Sequence, residues 1–126
     1  MRLPEAAALA LTLITTACAS TTRAGGGSRD IITVDEIERV NVSNAMEIVE
    51  RLRPEFLRGR GRVSVAQPDA QYPVVYVNGV RAGQLEALRS ITASDVHEIR
   101  YISAADATTR YGTGHTGGVI EVRIRS

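Results

Sequence analysis

Short apolar runs with the two-residue period of β-strands recur along the chain. Residues 31–34 are β-prone, and Val63 and Val65 alternate with smaller or polar residues. The continuous apolar run 74–77 is typical of a strand buried on both faces, and the Asn78-Gly79 pair that follows it favours a tight hairpin turn. Residues 96–101 predict a further strand.

One segment has the period of an amphipathic helix. Asn44 is suited to be its N-cap, with Glu47 at the capping-box spacing, and Pro54 marks its end. Apolar residues follow at helical spacing and predict one buried stripe: Ala45, Ile48, Val49 and Leu52.

The last third of the chain combines short helices with a closing strand. Leucines around residue 88 predict one short helix, and Ser103 predicts the cap of another that runs to about Arg110. After a glycine-rich turn, residues 120–125 alternate apolar and charged positions, which predicts a strand with a single dry face. We therefore expect a compact α+β domain, a small mixed β-sheet with short interposed helices.

Composition limits the size of the domain and the classes of partner. The chain has 126 residues, which allows one domain, and its net charge is +1 from 15 basic and 14 acidic residues. Every basic residue is arginine. Such a balanced charge does not indicate nucleic acid as the partner.

The N-terminus has the features of an export signal. A basic start at Arg2 precedes an apolar run and small residues, and then comes the only cysteine, Cys18. Cys18 resembles the lipobox cysteine that bacteria acylate, so we predict a signal peptide at 1–17 and lipidation of Cys18, with ordinary cleavage near Ala19 as the alternative. Residues 18–30 have the composition of a flexible tether, and residues 31–126 form the predicted domain.

Five blocks of this domain resemble one known family in order. The segment Val-Val-Tyr-Val-Asn-Gly-Val-Arg at 74–81 resembles the VYVDG-type hairpin of the plug domain of TonB-dependent receptors. Blocks at 32–37 and 44–54 resemble the segments that precede this hairpin, and the block at 91–99 resembles a strand that follows it. Residues 106–122, with Tyr-Gly near the start and Gly-Val-Ile near the end, resemble the family's closing motif.

The resemblance implies a non-catalytic, plug-like interaction module at the outer membrane. We expect a lipid anchor to hold it at the periplasmic face, where it would contact an outer-membrane barrel, another envelope protein or a copy of itself. A soluble periplasmic location is the alternative. Family receptors continue into a barrel, and because this sequence stops after the plug's last strand, we expect no transport by the chain itself. No energy-coupling segment is recognisable in the tether.

The densest charge cluster is a loop in which arginine and glycine alternate. This cluster of Arg58, Arg60 and Arg62 predicts either a solvated loop or a site for a small anionic ligand. A guanidinium group can bind one carboxylate or phosphate through two parallel hydrogen bonds. The second hypothesis for the chain is therefore a periplasmic domain that binds a small anion through this loop.

Other polar groups do not predict a catalytic, metal or cofactor site. His97 and His115 have no partners at metal-ligand spacing, and we expect surface or turn histidines. The glycines at 112–117 fit the letters of a dinucleotide fingerprint but follow a helix and open a strand, which is the wrong context. Serine and acidic pairs at 94–95 and 103–106 resemble helix caps more than a nucleophile with its base. We expect no enzyme, no metal and no cofactor.

Overall fold

A five-stranded mixed sheet forms the centre of the domain in a computed structural model, which describes residues 28–60 and 65–126. The strands are β1 (Ile31–Thr33), β2 (Val74–Val77), β3 (Val80–Gly83), β4 (Val96–Ile102) and β5 (Val119–Ile124). Their order across the sheet is β1-β4-β5-β2-β3. Only β2 and β5 run parallel, and the other neighbours are antiparallel. The expected α+β fold with a small mixed sheet is confirmed. The predicted signal peptide and most of the tether lie outside the described residues.

Short α-helices interrupt the strands: α1 (Val34–Glu38), α2 (Ala45–Leu52) and α3 (Ala104–Tyr111). In the connections between described elements lie 3₁₀ helices at Pro54–Leu57, Pro68–Gln71, Leu85–Ser90 and Ala93–Asp95. Residues 31–34 divide between β1 and α1, because Thr33 and Glu36 form a capping box that starts the helix at Val34.

The predicted helix is α2, and its capping differs slightly from the expected form. The Asn44 side chain accepts the backbone N–H of Glu47 at 3.1 Å, as predicted. The Glu47 carboxylate accepts the N–H of Ser43 at 2.9 Å rather than that of the N-cap residue. The helix ends at Leu52, two residues before Pro54. Its buried face also includes Met46.

The main core lies on the face of the sheet that α2 covers. Alternate strand residues point to this face, and the 3₁₀ segments contribute Phe56 and Leu88. A second, smaller core lies on the opposite face beneath α3, where it contains Val74, Tyr76, Ile102, Ala107 and Val119. Because both faces are covered near β2 and β5, Val119–Val122 is buried at every position.

Two strand expectations are wrong. The single dry face predicted for β5 fails at Glu121, which is 4% exposed because α3 covers the face that alternation assigned to water. Val65 lies in a turn and is fully exposed rather than in a strand. Its predicted neighbour Val63 lies outside the described residues.

Candidate interaction surface

The hairpin of β2 and β3 forms one end of the sheet. β2 lies between β5 and β3, whereas β3 pairs with β2 alone among the strands of residues 28–60 and 65–126. Val80, Arg81 and Ala82 are exposed, and Val80 keeps 70% of its accessible surface. An exposed edge strand leaves backbone N–H and C=O groups available to another chain. β3 is therefore a candidate surface for an interaction with another chain.

The turn of this hairpin is fixed to the strand beyond it. Asn78 and Gly79 have φ of 49° and 82°, the positive values that a type I′ turn requires at both positions. The Asn78 backbone N–H donates to the Val122 carbonyl at 2.9 Å, and its side-chain oxygen accepts the Ile124 N–H at 3.1 Å. These bonds join the turn to β5, so the exposed edge rests on an ordered support.

A polar and aromatic cluster supports the same hairpin from the α3 side. The Tyr76 and Tyr111 rings stack with centroids 4.1 Å apart. The Tyr76 hydroxyl lies 2.9 Å from Nε2 of His115, and Nδ1 of His115 lies 2.8 Å from the Gly112 carbonyl. A carbonyl can only accept, so Nδ1 carries the proton, and in the neutral ring Nε2 accepts from Tyr76. His115 thereby joins the glycine-rich turn to β2.

Glu121 lies at the base of this cluster. The Tyr111 hydroxyl donates to its Oε1 at 3.2 Å, and Nη1 of Arg110 is 3.6 Å from its Oε2. Burial and the negative charge of Glu121 together raise the pKa of Tyr111 above its ordinary value, so the hydroxyl remains a donor at neutral pH. These contacts hold α3, the turn and β5 together, which is a structural role.

The sequence did not predict that His115 and Glu121 are buried and hold neighbouring segments together. The sequence predicts a surface or turn histidine at 115, and His115 does lie in the glycine-rich turn, but it is buried to 4% exposure. Its position among glycines predicted the turn correctly and gave no sign of burial. His97, by contrast, is exposed, as expected.

The arginine loop is only partly free. Arg60 places its guanidinium 4.5 Å above the Tyr101 ring and donates to the Glu55 carbonyl at 3.2 Å. Arg58 is exposed, and Arg62 lies outside the described residues. The guanidinium of Arg60 therefore packs against the domain through a cation–π contact with the Tyr101 ring.

The polar groups considered for chemistry have local structural roles. Ser103 caps α3 by accepting the Asp106 N–H at 3.2 Å. The Ser94 hydroxyl donates to the carboxylate of its neighbour Asp95 at 3.5 Å. Within residues 28–60 and 65–126, no group of three His, Cys, Asp or Glu side chains is placed to hold a metal ion. No helix in those ranges is long and apolar enough to cross a membrane.

Comparisons with known proteins give one finding. Neither the curated proteins nor the solved structures contain a match to the chain. The family model described as TonB-dependent Receptor Plug Domain matches residues 21–119, well over half of the chain. The match includes the hairpin, α3 and the first residue of β5, and it relates the chain to receptors of the outer membrane. The chain therefore belongs to the TonB-dependent receptor plug domain family.

Proposed function

We propose that this protein is a non-catalytic interaction module of the outer membrane, anchored by lipid on Cys18 at the periplasmic face. Its partner is an outer-membrane barrel or another envelope protein. The observation that carries the proposal is the family match over residues 21–119, because plug domains are non-catalytic parts of outer-membrane receptors. The exposed β3 edge supports it by offering a surface for a partner.

The anchor follows from the sequence of the N-terminus. Cys18 follows an apolar segment and a small residue, and the composition after it is that of a flexible coil. Such a tether would allow the domain to move near the membrane while the acyl chains hold it there. Ala19 after the cysteine favours the outer over the inner membrane by the sorting rule that such lipoproteins commonly follow.

Partner capture tests the proposal directly. The tagged full chain is crosslinked in isolated outer membranes and purified, with Cys18→Ser as the matched form that cannot be acylated. We expect the native form to recover a barrel or envelope protein, and the Cys18→Ser form to leave the membrane fraction. A protein that is recovered alone and soluble in both forms would refute the membrane-tethered module.

The alternative of a small-anion binder has weaker geometric support. Arg58 and Arg60 are both exposed, but the Arg60 guanidinium lies over the Tyr101 ring, and Arg58 is the one described arginine of the loop for which no such ring contact is seen. Calorimetric titration with inorganic phosphate, repeated after substitution of Arg58, Arg60 and Arg62 by alanine, separates the two functions. Binding that is lost on substitution would favour the anion binder.

A further inference from the structure

The backbone at the middle of β3 faces the open edge of the sheet. Asn78 and Gly79 form a two-residue turn, so the flanking Val77 and Val80 are the hydrogen-bonded pair of the hairpin. Hydrogen-bonded and non-hydrogen-bonded pairs alternate along an antiparallel ladder. The next pair is Tyr76 with Arg81, and the N–H and C=O of Arg81 therefore point away from β2. They are placed to pair with an added strand.

One face of this edge is apolar. Val80 lies opposite Val77, which packs against the main core, and Val80 itself is 70% exposed. A shallow groove of about 480 Å³ lies between β3 and the 3₁₀ helix Leu85–Ser90. Its lining combines apolar residues, among them Ala82 and Ala87, with the polar residues Gln84, Glu86 and Ser90.

The register between β2 and β3 shifts after the Tyr76–Arg81 pair, so that Val75 pairs with Gly83 and regular alternation in β3 is limited to Val80 and Arg81. A strand added opposite these residues would place one side chain beside Arg81 and its neighbours on the face of Val80 and the groove, where apolar residues fit.

The other face is basic. Arg81 lies beside Tyr76 on this face. The Tyr111 ring stacks on the Tyr76 ring, and the Arg110 guanidinium lies 5.4 Å from the Tyr111 ring centroid. Arg123 of β5 is exposed on this same face, next to the hairpin turn. In the part of the chain that the structure describes, neither Arg81 nor Arg123 has a carboxylate within 4.0 Å.

The carboxylates on this face of the sheet already have partners. Glu121 lies across from Tyr76 in β5, where it is 4% exposed and accepts from Tyr111. It is also 3.6 Å from Arg110. Glu98 lies across from Arg123 and is paired with Arg100 at 3.2 Å. Because these two carboxylates share the face with four arginines, Arg81, Arg100, Arg110 and Arg123, the surface beside β3 has an excess of positive charge. Acidic side chains of a partner would complement it.

We propose that the β3 edge binds, by strand addition, an extended segment of another protein in which apolar and acidic residues alternate. Acidic side chains of this segment face Arg81, and apolar side chains face Val80 and Ala82. The inference rests on the proposed function, an interaction module, and specifies the chemistry of its partner. Two copies of the chain fit less well, because an antiparallel pair of β3 strands centred on Arg81 would place two arginines opposite each other.

Peptide binding to the purified full chain tests the proposal. The probe is a fluorescently labelled eight-residue peptide that alternates Val and Glu, and the matched probe replaces each Glu by Lys. Fluorescence anisotropy measures the affinity. We expect the Glu peptide to bind about tenfold or more tightly than the Lys peptide, because several cross-strand charge contacts change sign. Methylating the peptide nitrogens that face β3 should weaken binding by a similar factor, since each loses a backbone hydrogen bond.

A charge reversal in the protein provides the sharper test. Arg81→Glu should invert the preference, so that the Lys peptide binds more tightly, while circular dichroism confirms that the variant folds. Arg39→Glu is the control, because Arg39 is exposed after α1, near the opposite edge of the sheet. We expect this variant to keep the preference for the Glu peptide.

Several outcomes would overturn the inference. Equal affinity for the two peptides, binding to neither, or an unchanged preference in Arg81→Glu would each do so. A dimer in sedimentation that Arg81→Glu abolishes would replace the proposed partner by a second copy. If the outer-membrane crosslinking recovers the same partner with Arg81→Glu as with the native chain, the module function stands and the β3 site is wrong.

Discussion

Gly117 lies where the loop before β5 crosses the chain at Gln71 and Tyr72. A Cβ atom added at Gly117 would overlap the backbone carbonyl group of Tyr72 and lie 2.6 Å from the carbonyl oxygen of Gln71. The Gly117 carbonyl also accepts the Tyr101 hydroxyl at 3.1 Å. Since the obstructing atoms are backbone, no side-chain rotation can relieve the overlap. We predict that Gly117→Ala strongly destabilises the fold.

The magnitude follows from comparison with a glycine of the same loop. Gly114 has φ of 95° and no heavy atom within 4 Å of a built Cβ, so Gly114→Ala costs only the left-handed backbone term, about 1–2 kcal/mol. Overpacking costs about 1–3 kcal/mol and occasionally more, and a backbone obstruction belongs at the upper end. We therefore expect Gly117→Ala to lose about 3 kcal/mol or more of unfolding free energy.

Urea unfolding followed by far-ultraviolet circular dichroism measures both variants against the native chain. In thermal unfolding, a loss of about 3 kcal/mol should lower the Tm of a domain of this size by more than about 10 °C. The slope against urea should stay constant, so that the shift reports stability. If Gly117→Ala proves no less stable than Gly114→Ala, the close crossing of the loop over Tyr72 is wrong.

Two further predictions concern ionisable groups. Burial tends to raise the pKa of Glu36, but the Thr33 N–H and the Arg53 guanidinium, 2.9 Å away, outweigh it and hold the pKa below its ordinary value of 4.5. Because the pKa of Glu36 is depressed in the folded state, Glu36→Gln should lower the free energy of unfolding by about 1 kcal/mol at pH 7. This difference should disappear as the pH falls below 4.5 and through the folded pKa. Urea unfolding at pH 7 and at pH 3 measures both values. An equal cost at pH 3 would contradict this. Tyr111→Phe should cost about 1–3 kcal/mol, because Glu121 loses a buried donor. In an ultraviolet titration, the variant should lack a tyrosine that ionises above the ordinary 10.0; an unchanged titration would exclude the raised pKa.

Local signals predicted most of the secondary structure because they act within a few residues. The Asn44 cap, the end of α2 before Pro54 and the Asn78-Gly79 turn depend on backbone geometry that neighbouring residues determine. Ser103 likewise starts α3 where predicted. The family resemblance, which the match over residues 21–119 confirms, rests on the order of such segments.

Val65 shows the limit of local pattern. Alternation at 63–66 predicted a strand, yet Val65 lies exposed in a turn. A strand needs a neighbour with which to pair, and the five described strands pair with one another without Val65. Hydrophobic alternation over four residues indicates a tendency, and pairing decides whether a strand forms.

The sequence by itself determined the α+β class, the positions of α2 and α3, the hairpin turn and the family of the protein, whereas α1 lies partly where a β-prone run was predicted. Only the tertiary structure decided that β3 forms an open edge, that α3 covers the second face of the sheet, and that Glu121 and His115 are buried beneath it. The physical reason is that strand order and burial depend on contacts between segments distant in the chain. Arg81 is a candidate contact residue because β3 lies at the edge of the sheet, a position that the local sequence does not indicate.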